Sequence, residues 1–525
     1  MSHWFARAVS FALCASLFWV SAAARADDAQ PPKPSEAAAG MLEAMREKGI
    51  ITEEEYQDLY KRQAIYEMEQ KQAASLPGWL KEWTFGGDAT VRFDQIDRGG
   101  QIDQPFGKIL NSKGDPVDLV NGAASAKRNR FRFRLRLGAE RSIADDFLVG
   151  FRIATGASSS FGGDTGNFEN VDFTRRLNAD PRSAFVTAGD YFAPKGVAVD
   201  RVYISYRPHL VEGLSFTVGK MQNPFVSPEF SGDFLVWDND ISPEGAQMQY
   251  GFHMFGERMW VNLRGSYYVI DEVPAATLQP TPTVTDPRPT AFPDIDERDP
   301  FMYALQGDMG GDVTPFLRVG TRVAYYDLRD INARTAAAME DLGNTGDAIK
   351  NNPLFFFATG ESFQTNGASR GEARELVWDV FSKITPYEGW SLTPWFQLTH
   401  MFGASDQNYG YGTGFDLMLP TNTKLTFMYA SLPRNSTIAL FTDSDFFDGF
   451  VNARGFGITA VQWFNRWTSL RASYYVSTPI NLACPGLPNG SLLCDSANFE
   501  QRELAFFREQ VLDRERFLID LAVKF

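Results

Sequence analysis

The 525-residue chain is poor in the groups that metal enzymes and nucleophilic catalysts use. It has 4 histidines, and His3, His209, His253 and His400 lie far apart. No His-Glu-x-x-His pair, cysteine–histidine cluster or phosphate-binding glycine loop occurs. No enzyme activity, cofactor or metal is therefore expected. Cysteine is equally sparse. Cys14 belongs to a leader, while Cys484 and Cys494 share one Pro/Gly-rich segment. In an exported chain that pair is expected to form a disulfide stapling a surface loop. A metal pair or two free thiols are the alternatives. Positive charge is also short. The net charge of −15 argues against a nucleic-acid partner. Beyond the leader, no apolar run is long enough for a membrane helix.

What is present is alternation. Phe517, Ile519, Leu521, Val523 and Phe525 share one parity, and Arg516, Leu518, Asp520, Ala522 and Lys524 the other. An apolar face backed by a mostly polar one fits a strand between lipid and water. Aromatic residues make up 14% of the chain, and 44 glycines suit frequent turns. At the start, Arg7, the apolar stretch Val9 to Ala24 and Ala24-Arg25-Ala26 read as a secretory leader cleaved before Asp27. The expected organisation is a signal peptide over 1–26, a periplasmic linker and helical segment over 27–78, and an outer-membrane barrel over 79–525. Helices are expected over 38–47 and 52–74, with Thr52 and Glu55 capping the second reciprocally.

Strands of the same pattern are expected near 84–94, 127–139, 147–155, 200–208, 213–221, 245–254, 257–270, 300–308, 314–327, 374–383, 391–402, 411–419, 422–431, 452–464, 467–478 and 511–525. The connections alternate short and long, as tight periplasmic turns and longer outer loops do. The fold class is thus all-β: a transmembrane antiparallel β-barrel of about 16 strands, 18 being the alternative, with a short helical N-terminal segment. A barrel of that size encloses water. Residues 499–510 read as helix or loop.

Arg128, Arg130, Arg132, Arg134 and Arg136 alternate along one strand and therefore point into the lumen together. By the same parity Arg92, Arg152, Arg264, Arg318, Arg322 and Arg471 line the pore. Facing lipid, each would cost roughly 2–4 kcal/mol at the midplane. Most are expected to pair with lumen carboxylates such as Asp88 and Asp94. The functional reading is a positive stripe that favours anions. The acidic long loops (Asp286 to Asp299; Asp238, Asp240 and Glu244; Asp443, Asp445 and Asp448) read as solvated surface. Divalent-cation binding is the alternative, although none has calcium-loop spacing. Residues 156–199 are the expected inward-folding constriction.

Several stretches resemble the putative-porin family of Gram-negative outer membranes, a relative of the phosphate-selective porins. They are Met45 to Tyr56 (MREKGIITEEEY), the arginine ladder Arg128 to Arg136, Asp200 to Tyr206 (DRVYISY), Val218 to Phe225 (VGKMQNPF) and the terminal Phe525. The resemblance implies passive diffusion of small polar solutes or ions through a barrel seated in lipid and lipopolysaccharide, often as a homotrimer. Lys220 matches the family's glycine–lysine strand end. The competing readings are a surface barrel acting through its loops as a receptor or adhesin, and an outer-membrane enzyme.

Overall fold

The computed structural model describes residues 34–63, 66, 80–99, 108–110, 116–118, 126–155, 185–188, 196–226, 232–270, 299–331, 335, 339, 344, 371–480 and 513–525, with 49, 54, 64, 65 and 145 excepted. The leader, Cys484, Cys494, Asp286, most of 156–199 and residues 499–510 lie outside them.

The chain divides into two units, Met1–Thr84 and Phe85–Phe525. In the first, α1 (Glu36–Glu47) begins where the Ser35 hydroxyl accepts the Ala38 N–H at 3.4 Å. A second helical stretch follows, with 55–63 described as helix. At its start Glu55 accepts the Thr52 N–H at 2.8 Å and Thr52 accepts the Glu55 N–H at 3.2 Å, the expected reciprocal cap.

The second unit is a closed antiparallel barrel of 16 strands. They are β1 (Thr84–Gly99), β2 (Ala126–Ile143), β3 (Phe147–Thr155), β4 (Val197–Tyr206), β5 (Leu214–Lys220), β6 (Glu244–Met254), β7 (Met259–Val269), β8 (Phe301–Thr314), β9 (Leu317–Ile331), β10 (Gly371–Ile384), β11 (Ser391–Phe402), β12 (Tyr409–Leu419), β13 (Thr423–Leu432), β14 (Ala453–Trp463), β15 (Thr468–Pro479) and β16 (Asp513–Lys524). β16 pairs with β1 from Asp88↔Lys524 to Gly99↔Asp513, which removes both sheet edges. In hydrocarbon that closure is obligatory, because an open edge would leave backbone groups without partners.

Parity sets the register as expected. On β1, Phe85 and Val91 are exposed on the outside, whereas Thr90, Arg92 and Asp94 are buried inside. On β2, Phe131, Leu135 and Leu137 face out. A slip of one residue would bring the whole arginine ladder to lipid. The short connections are 144–146, 207–213, 255–258, 315–316, 385–390, 420–422 and 464–467. Gly213 in the second of these has φ +81°, and a Cβ there would sit 1.8 Å from the Gly251 carbonyl oxygen, so only glycine fits the turn.

Candidate functional site

The lumen holds two of the long connections, described over 221–226 and 232–243 in the first and 433–452 in the second, packed against each other and against the wall. Both are rich in large apolar side chains. Phe225, Leu235, Val236 and Trp237 come from the first, and Ile438, Phe446 and Phe447 from the second. They meet an inward-facing apolar patch that includes Tyr268, Met302, Tyr326, Leu328, Val377 and Met401. Trp237 stacks on Phe441 at 4.7 Å, meets Tyr326 edge-on at 5.5 Å and donates its indole N–H to the Tyr326 hydroxyl at 2.9 Å. Such rings contribute roughly 0.5–1.5 kcal/mol per pair beyond the area they bury.

Backbone bonds fix the two loops to each other. The Asp238 N–H donates to the Phe441 carbonyl at 2.6 Å, and the Asp443 N–H to that of Phe234 at 3.1 Å. The Asp238 carboxylate accepts the Ser444 N–H at 3.0 Å and the Asp240 N–H at 2.9 Å. Asn344, fully buried, joins them from a third connection. Its amide donates to the Arg434 and Thr437 carbonyls at 2.7 and 2.9 Å and accepts the Ala439 N–H at 3.0 Å. The reading of Asp238, Asp443 and Asp445 as solvated surface is therefore corrected. The neighbouring aromatics carry their loops inside, and the carboxylates are used there as hydrogen-bond and ion-pair partners.

The arginine ladder lies on the other side of the loops. Arg130 pairs with Asp94 at 2.6 Å, and Arg136 with Asp88 at 2.7 Å. Arg134 and Arg136 share Asp240 of the first loop at 2.6 and 3.1 Å. Arg132 donates to the Phe185 carbonyl at 3.4 Å and lies 3.8 Å from Asp94. The Phe185 ring sits under Arg92, Arg132 and Arg134 at 4.1, 5.2 and 4.6 Å. Phe185 belongs to the expected constriction 156–199. Beside it, Val186–Thr187 pairs with Arg132 and Phe133 on β2.

Arg92 sits between two carboxylates. Its Nε reaches Asp520 at 2.7 Å, and its Nη1 reaches Asp445 of the second loop at 2.6 Å. Arg471 contacts the same two, at 2.5 Å from Asp520 and 3.0 Å from Asp445. Arg516 holds Asp94 at 3.1 Å, lies 3.6 Å from Asp445 and donates to the Ser444 carbonyl at 2.5 Å. Burial by itself would raise Asp445, but Arg92, Arg516 and Arg471 overcome it and hold the carboxyl well below its ordinary value. Asp443, two residues away, is pushed up to about 6 by burial and by the Asp445 charge.

The remaining expected pore residues also face inward with carboxylate partners. Arg152 pairs with Asp200, Arg264 with Asp308, Arg318 with Asp312 at 2.8 Å, and Arg322 with Asp379 at 2.6 Å. Arg128 lies on the inward parity of β2, half-buried. Arg516, Arg514, Arg201, Asp240 and Asp445 were missed as site residues. Parity would have supplied the arginines on β16, but nothing local marks a loop aspartate as a lumen partner. Among the described residues the histidines stay apart: His209 is on a short turn beside Asp146, and His400 stacks on Tyr409. Among the described residues no group of three or more His, Cys, Asp or Glu side chains is placed to hold a metal.

The family model described as "Putative porin" matches residues 48–388, more than half of the chain. The chain belongs to the putative-porin family. It is an outer-membrane channel for passive diffusion of solutes. No curated protein matches this porin. Solved structures of similar fold include OprB of Pseudomonas putida in a high-pH structure, at 12% identity, with 88% of this chain and 98% of that one covered and a TM-score of 0.47. Salmonella typhi OmpF, in complex with daunomycin, matches at 10% identity over 84% and 97% of the two chains, with a TM-score of 0.40. The outer membrane channel DcaP of Acinetobacter baumannii matches at 11% identity over 84% and 97%, with a TM-score of 0.38.

Proposed function

We propose that this porin passes small hydrophilic solutes through a lumen narrowed by its own loops, and that it leans toward anions. The observation carrying the lean is the charge balance on the wall from β15 to β4. The alternating arginines of β2, with Arg92, Arg152, Arg201, Arg471, Arg514 and Arg516, outnumber the inward carboxylates there. Asp88, Asp94, Glu140, Asp200 and Asp520 belong to the wall, and Asp238, Asp240, Asp443 and Asp445 come from the loops. A local cation excess beside a low-dielectric wall raises the concentration of anions in the passage. The lean is modest, since most guanidinium groups already contact a carboxylate. This chemistry selects by sign and size, not by a catalytic step, so the reading remains non-enzymatic.

The test is the reversal potential of purified protein in a planar bilayer under a salt gradient. Wild type should reverse on the anion side, and replacing Arg130, Arg132 and Arg134 with Gln should move it toward zero. Unchanged selectivity would remove the ladder's role. The packed loops give one observation in favour of a receptor or adhesin, and a complete lack of conductance would support that reading instead. The reading also takes residues 1–26 as a cleaved leader and the barrel as a homo-oligomer, a trimer by resemblance. Mass spectrometry should find Asp27 at the mature N-terminus, and cross-linking in detergent should give a trimer band.

A further inference from the structure

One row of directly opposed residues crosses the lumen wall from β7 to β15. Trp260 pairs with Gly310, Gly310 with Gly320, Gly320 with Phe381 and Phe381 with Trp395. The row continues through Gly414, Met428 and Gly457 to Tyr475. All of it has the inward parity, so aromatic rings and glycines line a surface that a water-filled barrel ordinarily makes polar. The glycines let the rings lie along the wall. A Cβ at Gly310 would sit 2.6 Å from the Trp260 ring, and one at Gly414 2.7 Å from the Trp395 ring. Trp260 is the second residue of β7 and Tyr475 the eighth of β15, and both strands start from short turns. Strand tilt therefore makes the row climb from the mouth at the short turns into the lumen. A second row runs directly above the first. Asn262, Asp308, Arg322, Asp379 and Gln397 oppose one another across β7 to β11, each two positions from the ring or glycine below. These planar polar groups bond sideways: Asn262 donates to Asp308 at 3.0 Å, Arg322 to Asp379 at 2.6 Å, and Gln397 to Asp379. At β11 the Phe234 ring of the first loop meets Trp395 edge-on at 5.6 Å and closes that end. The Trp395 indole N–H and the Gln397 amide oxygen, both buried there, have no hydrogen-bond partner among the described residues. At β7 the track is open, with Trp260 and Asn262 partly exposed.

We infer that this double row is a binding track for ring-shaped polyhydroxylated solutes, sugars in chemical class, entered at Trp260. The inference rests on the channel reading above and is independent of the anion lean. A pyranose has an apolar C–H face and a rim of hydroxyls. The face stacks on an aromatic ring, while the hydroxyls bond to the planar amide, carboxylate and guanidinium groups beside it. A hydroxyl both donates and accepts, so it suits the unmet donor of Trp395 and the unmet acceptor of Gln397. Rings repeated along the row offer successive weak seats, which hold a solute without trapping it. Rings that only seated the loops are needed at Trp395 and Tyr475, which meet Phe234 and Phe446. Trp260 carries the row past them to the open mouth.

The experiment follows single-channel current of wild type, Trp260→Ala, Trp260→Phe, Asn262→Ala and Tyr387→Ala in planar bilayers with maltose or mannitol on both sides. Maltose has ring faces, and mannitol, an open-chain polyol, has none. Wild-type current should fall saturably with maltose, whereas mannitol should act only through viscosity. Trp260→Ala should raise the half-saturating maltose concentration about tenfold, and Trp260→Phe, which keeps a ring, about threefold or less. Asn262→Ala should raise it about fivefold. Tyr387 is exposed on the turn 385–390, outside the row, and its replacement should leave the value alone. A conducting wild type that treats the two polyols alike would overturn the inference and leave the channel reading standing. A wild type that does not conduct would overturn the channel reading itself. Unchanged maltose affinity in a Trp260→Ala channel of altered conductance or thermal stability would make the row purely structural and overturn the inference. A saturable, Trp260-dependent block by benzoate with none by maltose would do the same. If Trp260→Ala fails to insert, Asn262→Ala supplies the second arm, and wild-type maltose affinity there would overturn the inference.

Discussion

The two sides of the loop assembly are seated by different physics. Toward β7 to β11 the loops meet Tyr268, Met302, Tyr326, Leu328 and Met401 through buried apolar surface. Toward β15 to β2 they meet Arg92, Arg134, Arg136, Arg471 and Arg516 through Asp240 and Asp445. Apolar contact is non-directional, largely insensitive to salt and pH, and costly to hollow out. Ion pairing is directional, and it ties each loop carboxylate to named strands. Its net stabilisation is small, because desolvation offsets much of the Coulomb gain. The apolar side should therefore hold the loops, and the charged side should set their register and the field they impose.

Trp237→Ala is expected to do the most damage. It removes a nearly fully buried indole, three ring contacts and a hydrogen bond, a loss of about 4 kcal/mol in loop seating. Hydrogen exchange should show lost protection at the Asp443–Phe446 amides, and single-channel traces should become larger and noisier. Arg92→Gln comes next. It strips a partner from both Asp445 and Asp520, but Arg471 remains beside them. A cost of about 3 kcal/mol is expected, near the low end for breaking a buried pair. An Arg92→Gln channel with looser loops than Trp237→Ala would reverse the comparison.

Acidification sharpens it further. Asp443 is raised to about 6 by burial and Asp445, so its contribution to loop seating is present at low pH and lost as pH rises through about 6. Between pH 7 and 5 it takes up a proton while Asp445 stays ionised. Amide protection in the loop should rise over that interval, and anion preference should rise about twofold as one lumen charge disappears. Asp443→Asn should abolish both changes. The smallest effect belongs to Asp312→Asn, whose partner Arg318 is 36% exposed. A well-hydrated pair contributes about 0–1 kcal/mol, so stability and selectivity should scarcely move. An effect as large as that of Arg92→Gln would break the distinction between the charged seat and an ordinary surface pair.

Much of the wall was legible because each strand solves its own problem locally. Lipid on one side and water on the other demand period-two alternation, and Phe147–Thr155 and Ser391–Phe402 carry it between clear turns. The inward aim of Arg92 and the β2 ladder followed from the same parity, as did pairing with Asp88 and Asp94. The Thr52–Glu55 cap is likewise a contact three residues apart. Loop placement was not legible. Asp238 and Asp445 resemble any solvated loop aspartates until Trp237, Phe441 and Phe446 are seen inside the barrel.

The sequence by itself determined the barrel, its strand parity and the inward arginines, because hydrocarbon penalises every alternative register residue by residue. Only the tertiary structure decided which connections fill the lumen and which carboxylates neutralise the wall. Arg92 and Asp445 are separated by most of the chain, and no local pattern encodes a meeting that closure of the barrel and burial of distant aromatic rings bring about.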